Sequence, residues 1–293
     1  MKLGLYGRVL RKQNINFVQL LIDSLDSKEC SYTIHESFLP IMNECGIKFK
    51  AEPKTFIYHP NFGDEMDYLL TLGGDGTLLD SLRIIRKQDV KVLGINMGRM
   101  GFLATVNKNE IQVALNCLEK NDYVLDERSL VEVNTDKPIF GDENFALNEF
   151  TIYKKDTSSM ITVHTYVNGE FLNSYWADGV IVATPTGSTG YNLSCGGPVV
   201  EPKSENLVLT PIAPHNLNVR PIVLNDSVEI LFDAEGRSDH FITTLDSRHT
   251  VIDSDAKVIV KKADFKLKLI RLPDSTFIKS LRSKLMWGVD TRN

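Results

Sequence analysis

The spacing of apolar positions divides the chain into two parts with different periods. "KLGLYG" (2–7), "DYLLTL" (67–72) and "VKVLGIN" (90–96) are short apolar runs that predict buried strands. "INFVQLLIDSL" (15–25), "TLLDSLRIIRK" (77–87) and "NEIQVALNCLEK" (109–120) carry apolar residues at helical spacing. Phe17, Leu20, Leu21 and Leu25 form the expected buried stripe of the first, and Leu78, Leu82 and Ile85 that of the second. Strand, turn, helix and strand in this order predict βαβ units and a parallel sheet. Near residue 122 the period shortens. "LVEVNT" (130–135), "ITVHTYVNG" (161–169), "DGVIVAT" (178–184), "SVEILF" (227–232), "HFITTL" (240–245) and "AKVIVKKA" (256–263) predict a mostly antiparallel, sandwich-like β domain. Asn168-Gly169 and Asn225-Asp226 are its turn signals. The tail "STFIKSLRSKLMW" (275–287) returns to helical spacing, with Ser275 as the expected N-cap. The expected division is an α/β domain over 1–121, a β-rich domain over 122–270 and a C-terminal segment over 271–293.

Composition narrows the classes of function. The chain has 293 residues, 42% apolar and 24% charged, with a formal net charge of −5. That balance predicts a globular protein with a sizeable core and argues against nucleic acid or an anionic membrane as a general partner. No apolar run is long enough to span a bilayer, and the N-terminal run is too short for a signal peptide, so a cytoplasmic protein is expected. Cys30, Cys45, Cys117 and Cys195 are widely spaced and form no CxxC pair, which predicts free, reduced thiols.

Candidate chemistry gathers in two glycine-rich stretches. In "YLLTLGGDGTLLDSLR" (68–83), Gly73-Gly74-Asp75-Gly76 joins a predicted strand to a predicted helix. That is the carboxyl edge of a parallel sheet, where ligands usually bind. Asp75 would repel a phosphate, so the turn fits either a helix-capping aspartate or a metal ligand or base. No Lys-Ser/Thr follows the glycines, so it is not a P-loop. The second stretch, "DGVIVATPTGSTGYNLSCGGP" (178–198), crowds hydroxyls, small residues and one aromatic after a strand, which suits a loop wrapped around a sugar or base.

Taken together, the chain resembles the NAD kinase family. The matching pieces are Gly73-Gly74-Asp75-Gly76-Thr77, "NMGRMGFL" (96–103), Asn148-Glu149, "DGVIVATPTGSTGYNLSCGGP", "LTPIAPHNLNVRPIV" (209–223) and "LRSKLMWG" (281–288), in family order over almost the whole chain. The resemblance implies an N-terminal α/β domain, a C-terminal β domain and a C-terminal segment packed back on the first. It implies transfer of the ATP γ-phosphoryl group to the 2′-hydroxyl of the adenosine ribose of NAD, with a divalent metal, Mg²⁺, in a homodimer or homotetramer. No metal ligands are assigned. Asp75 would be the base, with Gly76 beside it, and Phe102 would lie near the adenine. Asn148 and Glu149 would hold ribose hydroxyls or the adenine edge, and Asp178 the nicotinamide amide. Thr189, Gly190, Tyr191, Asn192, Leu193 and Ser194 would line the nucleotide. Asp246, in "TLDSR", would approach from a neighbouring subunit.

Two positions depart from the family pattern. Gly190 stands where many relatives have Ala, and Ser247-Arg248 where many have Gly-Gln. Arg248 is expected to add a positive charge near the phosphate path. Lipid kinases of the diacylglycerol type and phosphofructokinase-like sugar kinases share a GGDG turn. The polar, sugar-like second stretch counts against the first, which would need an apolar cleft, and "TPTGSTGY" with the long β-rich half counts against the second. A dinucleotide-binding sensor with a dead site is the non-enzymatic alternative.

Overall fold

A computed structural model describes residues 1–59, 62–98, 101–155, 159–273 and 275–288. Two compact units make up the chain, one of residues 1–127 with 267–293 and the other of residues 128–266.

The first unit is built on a parallel sheet. Its strands run in the order Lys91–Asn96, Tyr68–Gly73, Lys2–Gly7, Ser31–His35, Lys54–Phe56. Lys268 and Leu269, at the end of the long strand Val258–Arg271, pair in parallel with Lys91 and Val92. Leu3 and Leu5 share a core with the helix Ile15–Ser27, which buries Val18, Leu21, Ile22 and Leu25. This differs from the expected stripe: Leu20 is exposed and Phe17 only half-buried, so the buried face is turned toward Val18 and Ile22. The helix Asp75–Ile85 buries Leu78, Leu82 and Ile85, as its spacing predicts. The strand Lys54–Phe56 and the six-residue helix Leu39–Glu44 carry too few apolar positions for a period to show. The C-terminal helix, Phe277–Leu285, is capped by Thr276, whose hydroxyl accepts from the Lys279 N–H, rather than by Ser275. Residues 289–293 of the expected C-terminal segment lie outside the described residues.

The second unit is antiparallel. One sheet has the strand order Ile222–Asn225, Asn206–Ile212, Gly179–Ala183, Glu149–Lys154, His240–Leu245, Arg248–Asp253. In the other, Glu170–Ala177, Ile161–Val167 and Ile230–Glu235 follow one another, and Ile230–Phe232 pair with 258–260. Inward side chains of both sheets, among them Phe150, Ile152, Val163 and Phe232, share one core. Phe150 and Phe232 stack with ring centroids 6.0 Å apart. The Asn168-Gly169 turn has positive φ at both residues, which fits the two-residue hairpin between Ile161–Val167 and Glu170–Ala177.

Candidate functional site

In the first unit, Gly74 rather than Asp75 occupies the N-cap position of the helix Asp75–Ile85. Asp75 is the first helical residue, and its carboxylate does not cap the helix. It accepts hydrogen bonds from three successive backbone N–H groups: Phe102 to Oδ2 at 2.7 Å, Leu103 to Oδ1 at 3.1 Å and Ala104 to Oδ1 at 2.9 Å. The glycine turn has no side chain to meet this charge, yet the charge is met by main chain from another loop. A carboxylate offers about four acceptor positions, so about one remains, on Oδ2. Asp75 is half-buried.

Glycine makes this contact possible. A Cβ on Gly101 would fall 1.8 Å from Asp75 Oδ1, and one on Gly94 would fall 2.7 Å from Ala104 Cα. The 101–104 segment is further held by its carbonyls. Asn96 donates its side-chain amide to Ala104 O, and Arg271 Nη2 donates to Phe102 O at 3.0 Å. Phe102 is half-buried, and its backbone N–H is the one that meets Asp75 Oδ2. Gly76 is exposed on the first helical turn. Arg99 and Met100 of "NMGRMGFL" lie outside the described residues.

In the second unit, the fully buried strand Gly179–Ala183 delivers the second glycine-rich stretch. The inner side of this loop is structural. Asn192 is fully buried, donates to Ser188 O and Pro198 O, and accepts from the Thr210 hydroxyl at 2.6 Å. Its amide is thus used within the loop. The outer side carries Thr189, Gly190, Tyr191 and Ser194, with Tyr191 and Ser194 exposed and Leu193 half-buried. A Cβ on Gly187 would fall 2.0 Å from the Asn148 carbonyl oxygen, so glycine lets the loop lie against Asn148. At position 190 an added Cβ would stand 3.0 Å from Glu149 Oε2, closer than comfortable contact.

Glu149 and Asp246 place two carboxyl groups close together in this unit. Asp246, held at φ 53°, accepts from the N–H groups of Leu147 (2.9 Å), Asn148 (2.7 Å) and Glu149 (3.3 Å). This repeats the Asp75 pattern within one chain, so the Asp246 carboxylate braces its own unit's Asn148-Glu149. Burial pushes the Asp246 carboxyl up, against these three N–H groups and Arg248, which favour the anion. Burial, and then the Asp246 charge, push the Glu149 carboxyl up to about 8, opposed by the Tyr191 N–H. Glu149 Oε2 is buried and, among the described residues, has no hydrogen-bond partner. A buried acceptor of this kind calls for a donor from a ligand or water. The Asn148 side chain is half-buried beside it.

Asp178 is not an isolated turn residue, since Lys154 Nζ lies 2.7 Å from its Oδ1. Tyr191 is raised, mainly by burial and then by Cys195, which lies within hydrogen-bonding range. Arg248 departs from expectation. Its guanidinium donates to the carbonyls of Glu143 and Phe145, so it ties the strand Arg248–Asp253 to that segment instead of offering its charge to a phosphate. Sequence reasoning did not find Lys154, or the Arg271–Asp126 pair described below, because neither carries a local motif. Among the described residues no three His, Cys, Asp or Glu side chains converge. The donor set therefore does not fit a protein-held cage for the divalent metal that the resemblance implies.

Two family models match the chain, one in each half. The family described as ATP-NAD kinase N-terminal domain matches residues 40–123, and ATP-NAD kinase C-terminal domain matches residues 147–272. The NAD kinase of Cytophaga hutchinsonii is 50% identical over 290 residues, covering 99% of each chain. The NAD kinase of Flavobacterium johnsoniae is 42% identical over 295 residues, covering 100% of each. An NAD kinase from Archaeoglobus fulgidus, solved in complex with ATP, is similar with a TM-score of 0.74 and 25% identity over 98% of this chain and 99% of that one. Yeast NADH kinase complexed with NADH gives a TM-score of 0.86 over 99% of this chain and 88% of that one; at 22% identity it supports the fold alone.

Proposed function

The chain belongs to the NAD kinase family, and we propose that Asp75 is the base of its reaction. The activity is phosphorylation of NAD at the 2′-hydroxyl of the adenosine ribose, with ATP as donor, giving NADP. As the 2′-oxygen bonds to the γ-phosphorus, the bond from that phosphorus to ADP breaks and the hydroxyl proton leaves. Such transfer depends on positioning and charge stabilisation more than on covalent chemistry. Asp75 Oδ2 takes the proton. The observation that carries this reading is the three-amide grip, which fixes the carboxylate and leaves one acceptor position open on it.

The second unit supplies nucleotide-binding groups. Tyr191 offers a partly exposed ring for stacking on a base. Glu149 Oε2 is a buried polar atom ready for a ligand hydroxyl or amine. Asn148, Thr189 and Ser194 offer further hydrogen bonds, and Asp178, steadied by Lys154, receives the nicotinamide amide. A divalent ion such as Mg²⁺ would be held mainly by the substrate phosphates, as such ions commonly are with few protein groups, and would there screen the triphosphate charge.

Asp75→Asn tests the base directly. The amide keeps the shape and can still accept from Leu103 and Ala104, but it cannot take a proton. NADP formation, followed with an NADP-specific dehydrogenase, should fall by about two to four powers of ten. NAD binding by calorimetry should hold. Turnover close to that of the unaltered enzyme would remove Asp75 from this role.

A further inference from the structure

The Asp75 grip is itself held from behind by a buried ion pair. Arg271, at the end of the strand Val258–Arg271, is 5% exposed, and Asp126 is 7% exposed. Arg271 Nε donates to Asp126 Oδ2 at 2.7 Å, and Arg271 Nη2 donates to Phe102 O at 3.0 Å. The N–H of the same residue, Phe102, donates to Asp75 Oδ2 at 2.7 Å. One residue's backbone thus links the guanidinium to the carboxylate oxygen that keeps the open acceptor position.

A buried ion pair contributes little net stability, because desolvation offsets most of the attraction. An apolar pair of similar volume would hold the fold about as well. What a guanidinium adds is direction. Its planar fork fixes two acceptors at set angles, here the Asp126 carboxylate and the Phe102 carbonyl. The pair therefore sets where the peptide between Phe102 and Leu103 lies, and with it the Leu103 N–H that donates to Asp75 Oδ1 at 3.1 Å, next to the Phe102 N–H on Oδ2.

We propose that Arg271, anchored by Asp126, is a positioning residue for phosphoryl transfer, acting on Asp75 through the Phe102 backbone. The proposal rests on Asp75 being the base. A misplacement near 1 Å in a reacting group lowers rate about a hundredfold, with little effect on binding made elsewhere.

The test is a double-mutant cycle of Arg271→Lys with Asp75→Asn, read as kcat at saturating NAD and ATP. Asp126→Asn, which keeps the shape of its side chain, is run beside it. Arg271→Lys and Asp126→Asn should each lower kcat by about ten- to a hundredfold, with the NAD dissociation constant shifted less than about threefold. In the Asp75→Asn background, Arg271→Lys should lower the residual rate less than about threefold, because there is no base left to misplace. Multiplying losses in the double variant would show that Arg271 acts by another route and overturn the proposal, while leaving the base assignment intact. A lone Asp75→Asn variant with ordinary turnover would instead overturn the base, and the positioning role with it. Unchanged kcat in both Arg271→Lys and Asp126→Asn would overturn the positioning role alone.

Discussion

Gly101→Ala is the most direct perturbation of the proposed base that leaves its carboxylate chemically intact. The new methyl carbon would lie 1.8 Å from Asp75 Oδ1, 2.2 Å from Cγ and 2.4 Å from Oδ2. Ordinary van der Waals contact requires the methyl or the carboxylate to move by more than about 1 Å, the scale at which a reacting group loses about a hundredfold in rate. Neither side yields freely. The carboxylate is bound by three N–H groups, and the 101–104 segment is tied by Asn96 and Arg271. Overpacking of this kind also destabilises by about 1–3 kcal/mol. The assay is steady-state NADP formation, with unfolding by urea in parallel. kcat should fall about a hundredfold while the protein stays folded and binds NAD. Gly98→Ala is the matched control, since its Cβ would meet no described atom within 4 Å. An unchanged kcat in Gly101→Ala would refute the placement of Asp75 against the Phe102–Ala104 amides in the working enzyme.

Glu149 predicts a pH dependence of stability. Its folded-state pKa of about 8 lies above the ordinary 4.5, so folding holds a proton that the unfolded chain releases. The group opposes folding increasingly as pH rises from about 4.5 toward 8, by a few kcal/mol at about 1.4 kcal/mol per unit. Glu149→Gln should flatten that part of the curve and raise the urea midpoint at pH 8, and a slope equal to that of the unaltered protein would contradict it. Arg248→Gln should lose the donors to Glu143 O and Phe145 O, costing about 1–3 kcal/mol in urea unfolding. The same variant should leave KM for ATP unchanged, and a raised KM would return Arg248 to the phosphate path.

The elements with a long, clean period were legible in the sequence. Lys2–Gly7, Tyr68–Gly73 and Lys91–Asn96 are apolar because each is buried on both faces of a parallel sheet. The strand Ser31–His35 was not legible, since only Ile34 is fully buried along it. The change of period near residue 122 falls a few residues before the limit between the units at 127/128. The strand Val124–Thr135 runs through the 127/128 division and Val258–Arg271 through 266/267, so the exact limits fall inside continuous strands, where the period stays the same.

For the candidate site, the motifs located residues but not their partners. Asp75 takes its donors from 27 to 29 positions away, and Asp246 from 97 to 99. Both sets of donors are backbone N–H groups, which leave no trace in residue identity. A sequence can show only the absence that such a contact requires, and here that absence is the missing side chain of Gly101. The aspartate of the glycine turn looked partnerless because its partners are main chain. The same grip suits the role proposed for it, since donors fixed in the backbone hold a carboxylate in place without supplying the proton that a side-chain acid could return to it.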